Sequence, residues 1–165
     1  MVEPTDLALA EVLGELGDSL AERGLKVATA ESCTGGWVAK VLTDRPGSSV
    51  YMDCGIVTYS NAAKVGLLGV SENVLDRFGA VSEPVAREMA LGALAVSQAD
   101  LSVAITGVAG PGGGTEEKPV GTVWFAWGRR GDQPEAASAH FEGDRDSIRR
   151  QAVLFALKGL QGLLR

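Results

Sequence analysis

The segment Leu25-Lys-Val-Ala-Thr-Ala-Glu-Ser-Cys-Thr-Gly-Gly36 decides how this chain folds. Its first half, Leu25–Ala30, is short and mostly apolar and follows a glycine, which predicts a buried β-strand. Its second half, Glu31–Gly36, is a polar turn, and the apolar pattern of Trp37–Leu42 predicts a helix directly after it. Strands that alternate with helices in this way indicate an α/β fold.

The same alternation continues on both sides of this segment. Helices are predicted over about 5–23, at Ala62–Leu68, from Pro84 to about Gln98, and after Asp144, which could cap the last helix. Strands are predicted at Gly55–Tyr59, Leu101–Thr106, Val120–Trp127 and Ala136–Phe141. The last two strands follow each other without a helix, which favours an antiparallel pair. We therefore predict a single domain over residues 1–165, with a mixed, mostly parallel sheet.

Composition and charge exclude several classes of function. The chain has 165 residues, 45% of them apolar and 22% charged, with a net charge of −6. These values are typical of one globular domain, and the acidic charge argues against nucleic-acid binding. Met1–Ala10 carries Glu3, Pro4 and Asp6 where a signal peptide would be apolar. With no apolar run long enough to span a membrane, a cytoplasmic location without membrane contact is expected.

The cysteines and the histidine do not predict a metal site. Two cysteines, Cys33 and Cys54, and the single His140 cannot supply a Cys/His zinc cluster. A disulfide between the two cysteines stays open as an alternative to two free thiols.

Ser32 is the first candidate for chemistry, because ligands of such sheets bind beyond the carboxyl ends of the strands. Unpaired amides of Thr34–Gly36 at a helix start could hold a phosphate or an oxyanion. The G-x-S-x-G pattern of a nucleophile elbow is absent. Three interpretations therefore remain: Ser32 is a nucleophile, Ser32 or Thr34 caps the helix, or Cys33 is the nucleophile rather than a buried structural thiol.

A serine nucleophile needs a base. His140 is predicted on a strand near the surface, so a Ser-His-Asp triad has little support. A lysine whose pKa is lowered by burial is the other option. Lys64 follows the strand predicted to end at Tyr59, and it reaches the edge that carries Ser32 if the two strands are neighbours. The alternative is that Lys64 is a solvated helix residue.

A second candidate region is the loop Gly107–Gly114, with five glycines in eight residues directly after an apolar strand. Glycines let the backbone approach a ligand closely, although the spacing matches neither a P-loop nor a dinucleotide fingerprint. The alternative is a mobile surface loop. Arg145, Arg149 and Arg150 open the last helix and suit phosphate contacts. The alternative, a solvated basic face, is favoured for Arg150.

Five motifs stand in order along the chain and are followed by Gly143-Asp-Arg-Asp146. The five are Ala30-Glu-Ser-Cys-Thr-Gly-Gly36, Thr58-Tyr-Ser-Asn-Ala-Ala-Lys64, Phe78-Gly-Ala-Val-Ser-Glu-Pro84, Ile105-Thr-Gly-Val-Ala-Gly-Pro-Gly-Gly113 and Lys118-Pro-Val-Gly-Thr-Val-Trp124. Together they strongly resemble the CinA carboxy-terminal domain family over nearly the whole chain. The family often has Asp after the proline of the glycine-rich motif, where this chain has Gly112.

The resemblance implies a three-layer α/β/α sandwich, a homodimer, and hydrolysis of nicotinamide mononucleotide to nicotinate mononucleotide and ammonia without a metal or cofactor. The family's serine, lysine and tyrosine fall on Ser32, Lys64 and Tyr59, and Tyr59 would relay a proton or orient the lysine amine. Further substrate contacts are expected from the turn, the strand end, the loop and the last helix. They are Cys33, Thr34, Gly35 and Gly36 near the oxyanion, and Thr106, Gly107, Ala109, Gly110 and Arg145 near the phosphate.

Two other classes of function remain open at this point. The chain could be a non-catalytic nucleotide-binding or regulatory domain. It could also be a partner module for recombination proteins, as the competence-linked family name suggests.

Overall fold

The computed structural model describes residues 3–165, so Met1 and Val2 of the predicted domain lie outside the described residues. Six helices form in that part of the chain: α1 Asp6–Arg23, α2 Trp37–Thr43, α3 Asn61–Leu68, α4 Glu72–Phe78, α5 Glu83–Ala95 and α6 Arg145–Leu163. Five strands form there: β1 Val27–Glu31, β2 Met52–Val57, β3 Leu101–Gly107, β4 Thr122–Arg129 and β5 Glu135–His140.

The strands make one sheet in the order β2-β1-β3-β4-β5. β1 lies between β2 and β3 and pairs with both in parallel. β4 is antiparallel to β3 and to β5, so β4 alone runs against the other four strands. The predicted mixed sheet with an antiparallel pair at its carboxy-terminal side is confirmed.

Helices cover both faces of the sheet and give the three layers that the resemblance implied. α1, α2 and α6 pack on one face and α3, α4 and α5 on the other. The alternation of side chains along β1 serves both layers, because Val27 joins the first core and Ala28 and Ala30 the second. Leu16 and Leu20 of α1 are fully buried, which stabilises the fold by about 1.5–3 kcal/mol for each side chain.

Three elements differ from the sequence expectation. β2 begins at Met52 and ends at Val57, earlier than the predicted strand, because its edge position alternates half-buried and exposed residues and hides its apolar signal. α4 was not predicted, because it is a single short helix that buries only Leu75. α5 ends at Ala95 rather than near Gln98, and the Ser97 hydroxyl donates back to the Ala93 carbonyl beyond its end. No helix in residues 3–165 is long and apolar enough to cross a membrane.

The parallel strands bring the chemical candidates to one edge of the sheet. The ladder between β1 and β3 continues one residue further, where the Ser32 amide donates to the Ile105 carbonyl at 2.9 Å. On the other side of β1, the Thr58 amide donates to the Glu31 carbonyl at 2.8 Å. The segments after β1, β2 and β3 therefore leave the sheet side by side.

Candidate active site

A cavity of about 330 Å³ opens where these three segments meet the start of α6. Its lining comes from the turn after β1, the segment from Tyr59 into α3, the connection from α4 to α5, the glycine-rich loop and the first residue of α6. The lining residues are Ser32, Cys33, Tyr59, Asn61, Lys64, Ala80, Val81, Thr106, Gly107, Val108, Ala109, Gly110, Gly112, Gly113 and Arg145.

Ser32 and Lys64 form the buried centre of this cavity. The Lys64 side chain is 1% exposed, and its Nζ lies 3.0 Å from Ser32 Oγ. The same nitrogen donates to the Thr58 carbonyl at 2.7 Å. Burial lowers the pKa of the Lys64 amine from its ordinary value, because the charged form loses its contact with water. The solvated-helix alternative for Lys64 is wrong.

Local sequence explains how Lys64 reaches Ser32. Ser60 caps α3 with its Oγ, which accepts from the Ala63 amide at 3.0 Å, and Lys64 is the fourth residue of the helix. The amine therefore sits in the first turn, where the positive end of the helix dipole disfavours a second positive charge. Both burial and this position favour the neutral amine.

Glu31 fixes the turn that carries Ser32. Its carboxylate is fully buried at the end of β1 and accepts from Thr34 Oγ1 at 2.6 Å. It also accepts from the amides of Val38 and Ala39 at 2.9 and 3.0 Å, two of the unpaired donors at the start of α2. Neither Ser32 nor Thr34 caps α2, so that alternative is also wrong, and the Ser32 hydroxyl stays with Lys64.

The amides of the turn are partly used and partly available. The Gly35 amide donates to the Ser32 carbonyl and the Trp37 amide to the Thr34 carbonyl, both at 3.0 Å. In residues 3–165 the amides of Cys33, Thr34 and Gly36 donate to no protein acceptor. Those of Cys33 and Thr34 follow Ser32 directly in the chain, so they are the first candidates to stabilise an oxyanion at Ser32.

The three arginines of α6 have different partners. Arg145 lies in the cavity lining, where it donates to the Gly110 carbonyl at 2.6 Å and to the Tyr59 hydroxyl at 2.9 Å. Arg149 instead donates to the carbonyls of Cys33 and Thr34. Arg150 pairs with acidic side chains, among them Asp6 at 2.5 Å. Only Arg145 faces the cavity.

Tyr59 lies at the rim rather than between Ser32 and Lys64. Its side chain is 63% exposed, and its hydroxyl bonds to Arg145. Because Lys64 already touches Ser32 directly, the geometry requires no relay through Tyr59.

Thr106 and the α4–α5 connection close the floor of the cavity. Thr106 is buried, and its hydroxyl donates to the Ala80 carbonyl at 2.9 Å, which ties the end of β3 to this connection. The Thr106 oxygen keeps lone pairs that could accept a hydrogen bond from a ligand.

Thr34, Gly35 and Gly36 do not line this cavity. They face a separate shallow depression with Trp37, Lys40 and Arg149. A backbone amide of Thr34 can still serve the Ser32 side, because an amide and its own side chain point in different directions.

Cys33 and His140 are not set up for catalysis. Burial, followed by the nearby Glu31 carboxylate, raises the pKa of the Cys33 thiol to about 12, which keeps it protonated and weakly nucleophilic. Cys33 and Cys54 are both free thiols. His140 is exposed on β5, its Nε2 contacts the Val120 carbonyl, and it is not among the residues that line the cavity.

Several site residues were missed from the sequence. Glu31 and Arg149 brace the turn, Asn61 lies in the lining beside Lys64, and Ala80 and Val81 form one wall. All of these residues except Arg149 lie inside the five sequence motifs, so the motifs were the signal that could have pointed to them. Within residues 3–165 no cluster of His, Cys, Asp and Glu could hold a metal ion.

Fold and site together define a class of protein: an α/β sandwich with a buried serine–lysine pair at the carboxyl edge of its sheet. The chain belongs to the CinA C-terminal domain family, whose sequence model matches residues 9–164. The predicted family is thereby confirmed.

Named relatives and solved structures agree with this membership. The chain is 54% identical over 156 residues to the nicotinamide-nucleotide amidohydrolase PncC of Escherichia coli K12, covering 94% of each chain. It is 50% identical to the protein of the same name from Pseudomonas putida, covering 88% of this chain and 90% of that one. The structure of competence/damage inducible protein CihA from Agrobacterium tumefaciens matches 100% of this chain with a TM-score of 0.94 and 43% identity, and 99% of that chain is covered.

Proposed function

We propose that this protein is an amidohydrolase that converts nicotinamide mononucleotide to nicotinate mononucleotide and ammonia. The observation that carries the chemistry is the buried Lys64 amine, which lies 3.0 Å from the Ser32 hydroxyl and whose pKa is lowered by burial. Relatives of nearly the same length, named nicotinamide-nucleotide amidohydrolase, support the choice of substrate.

In the first step the neutral Lys64 amine removes the Ser32 proton as Ser32 Oγ bonds to the carboxamide carbon. The bond from Lys64 to the Thr58 carbonyl occupies one N–H of the amine and turns its lone pair toward Ser32. The carboxamide oxygen becomes an oxyanion, which the free amides of Cys33 and Thr34 would receive.

The intermediate collapses when the carbon–nitrogen bond breaks and Lys64 returns its proton to the leaving ammonia. The nicotinoyl group is then esterified to Ser32. Water, deprotonated by the same Lys64, attacks this ester and releases nicotinate mononucleotide with Ser32 restored.

The other end of the cavity suits the phosphate. Arg145 is the cation of the lining, and in residues 3–165 it forms no ion pair, so its charge is available to an anion. Its bonds to Gly110 and Tyr59 hold the guanidinium between the loop and the rim. A volume of about 330 Å³ lies at the small end of ligand pockets, which suits a mononucleotide.

The finer expectations belong to this proposal. They are the oxyanion contacts of the Cys33 and Thr34 amides, the substrate contacts of Thr106, Gly107, Ala109 and Gly110, a cytoplasmic location and a homodimer. The reaction needs no metal or cofactor in this scheme, because the dyad supplies both nucleophile and base.

The test is release of ammonia from nicotinamide mononucleotide by the purified chain, with and without a chelator. We expect turnover that the chelator leaves unchanged. Binding of the mononucleotide without ammonia would instead favour a nucleotide-binding domain, and a stable complex with recombination proteins that survives loss of the cavity would favour a partner module.

A further inference from the structure

One peptide group of the turn after β1 takes its direction from a residue of α6. The peptide that carries the Cys33 amide also carries the Ser32 carbonyl, which the Gly35 amide holds from within the turn. The peptide that carries the Thr34 amide also carries the Cys33 carbonyl. In the described part of the chain that carbonyl has one hydrogen-bond donor, Arg149 Nε of α6 at 3.0 Å.

Peptide planarity links the two ends of that group. The N–H of Thr34 points opposite to the C=O of Cys33, because both lie in one trans peptide plane. A guanidinium on the carbonyl therefore fixes the direction of the N–H. It also polarises the peptide, which makes the N–H a stronger donor.

Arg149 is itself held in place by three contacts. Its second bond runs from Nη2 to the Thr34 carbonyl at 3.1 Å, and its guanidinium lies 5.6 Å from the centre of the Trp37 ring. It lines the outer depression and not the cavity of Ser32, so it does not touch a ligand there. Glu31 grips the same turn from the buried side.

From this arrangement we propose that Arg149 is a positioning residue of the reaction: it aims the Thr34 amide at the oxyanion that forms on Ser32. The inference rests on the proposed amidohydrolase function. Arg149 would stabilise the transition state and would have no effect on substrate binding. Substrate binding is the role proposed for Arg145, one helical turn earlier.

The experiment compares Arg149→Met and Arg149→Lys with Arg150→Met in the full chain. Arg150 is a matched control, because it follows Arg149 in α6, also lies over Trp37 at 5.0 Å, and pairs with Asp6 instead of the turn. kcat and KM for nicotinamide mononucleotide are measured well below the Tm of every variant, and Tm is recorded for each.

We expect Arg149→Met to lower kcat about 10- to 100-fold with KM within about twofold, less than the 10²–10³-fold cost of deleting an oxyanion donor outright. Arg149→Lys should recover part of kcat, because one ammonium can reach one carbonyl but lacks the planar fork. Arg150→Met should lower Tm and leave kcat near the wild-type value.

An unchanged kcat in Arg149→Met overturns the inference, as does a raised KM with normal kcat. The inference is also overturned if Arg150→Met loses kcat together with Tm. The fall in kcat would then follow from lower stability and not from the contact of Arg149 with the turn. If Arg149→Met does not fold, Arg149→Lys decides by the same criteria. Absence of ammonia from the wild type is a different result, since it overturns the proposed function itself.

Discussion

The two walls of the cavity are built differently, although both follow a buried strand at the same edge of the sheet. The turn Glu31–Gly36 is held from inside by the Glu31 carboxylate and from outside by Arg149. The glycine-rich loop Gly107–Gly114 is half-buried at its first two residues, buried at Ala109 and Gly110, and exposed from Pro111 onward. Its anchors are the Gly110 carbonyl on Arg145 and a few backbone bonds, such as Gly121 to Val108.

The difference indicates a division of labour. In the proposed reaction the turn carries the nucleophile and the free amides, which must not reorganise during the reaction. The loop offers backbone and one arginine to the part of the substrate that does not react. Changes in the turn should therefore act on kcat, and changes around the loop should act on KM.

The largest expected effect on kcat is at Ser32 of the turn and at Lys64 of α3, which contacts it. Ser32→Ala and Lys64→Ala should each lower kcat about 1000-fold or more, because each removes one half of a dyad that acts as a unit. Lys40→Ala is the control, since Lys40 is exposed and pairs with Asp44 at 2.9 Å. Near-normal ammonia release by either dyad variant would show that Ser32 and Lys64 do not act as nucleophile and base.

The second effect is the pH dependence of kcat/KM, which Lys64 should determine. Lys64 must be neutral to act as a base, so kcat/KM should fall about tenfold for each pH unit below its lowered pKa. The plateau should be reached below the ordinary lysine value of 10.5, because burial favours the neutral amine. Arg145→Met should keep this profile, since it changes the other wall. A profile that rises only near 10.5 contradicts a buried neutral base.

The same pKa shift has a consequence for stability. The folded chain binds fewer protons at Lys64 than the unfolded chain between the lowered pKa and 10.5, so the contribution of Lys64 to the free energy of unfolding should rise with pH across that window. Lys64→Met should lack this rise when both proteins are unfolded by urea at several pH values. An identical pH dependence in the two proteins would show that the amine is not shifted.

On the loop side, Arg145→Met should raise KM about tenfold or more and change kcat less. A charge-assisted hydrogen bond to a phosphate contributes about 1.5–3 kcal/mol, and the reacting carboxamide lies at the other end. Steady-state kinetics with nicotinamide mononucleotide checks the split. A fall in kcat with constant KM would mean that Arg145 acts on the reaction step as the turn does, which would contradict different roles for the two walls.

The smallest effect is expected at the rim. Tyr59→Phe removes the hydrogen bond that the Arg145 guanidinium donates to the Tyr59 hydroxyl, and because this bond is exposed to water, KM should rise only a few-fold. A loss of kcat as large as that of Lys64→Ala would instead mean that Tyr59 carries the proton.

Much of the fold could be predicted from the sequence, because β1 and β3 are mostly apolar runs and α1 and α6 have clear helical spacing. The edge strand β2 and the short α4 carry weak apolar signals, and their positions depend on tertiary packing. Within the site, local pattern left Ser32 and Lys64 undecided, since sequence spacing does not show that β1 and β2 are neighbours. Glu31 and Arg149 could not be found by pattern, because their roles depend on which carbonyls and amides the turn leaves unpaired.

The acyl-enzyme on Ser32 can be tested by adding hydroxylamine to the reaction and measuring ammonia and hydroxamate together. If Ser32 carries a nicotinoyl ester, hydroxylamine will compete with water for it. Wild type should then form the hydroxamate of nicotinate mononucleotide in proportion to hydroxylamine, and Ser32→Ala should form none. Ammonia release from wild type without any hydroxamate, or hydroxamate formed at the wild-type rate by Ser32→Ala, would contradict the account.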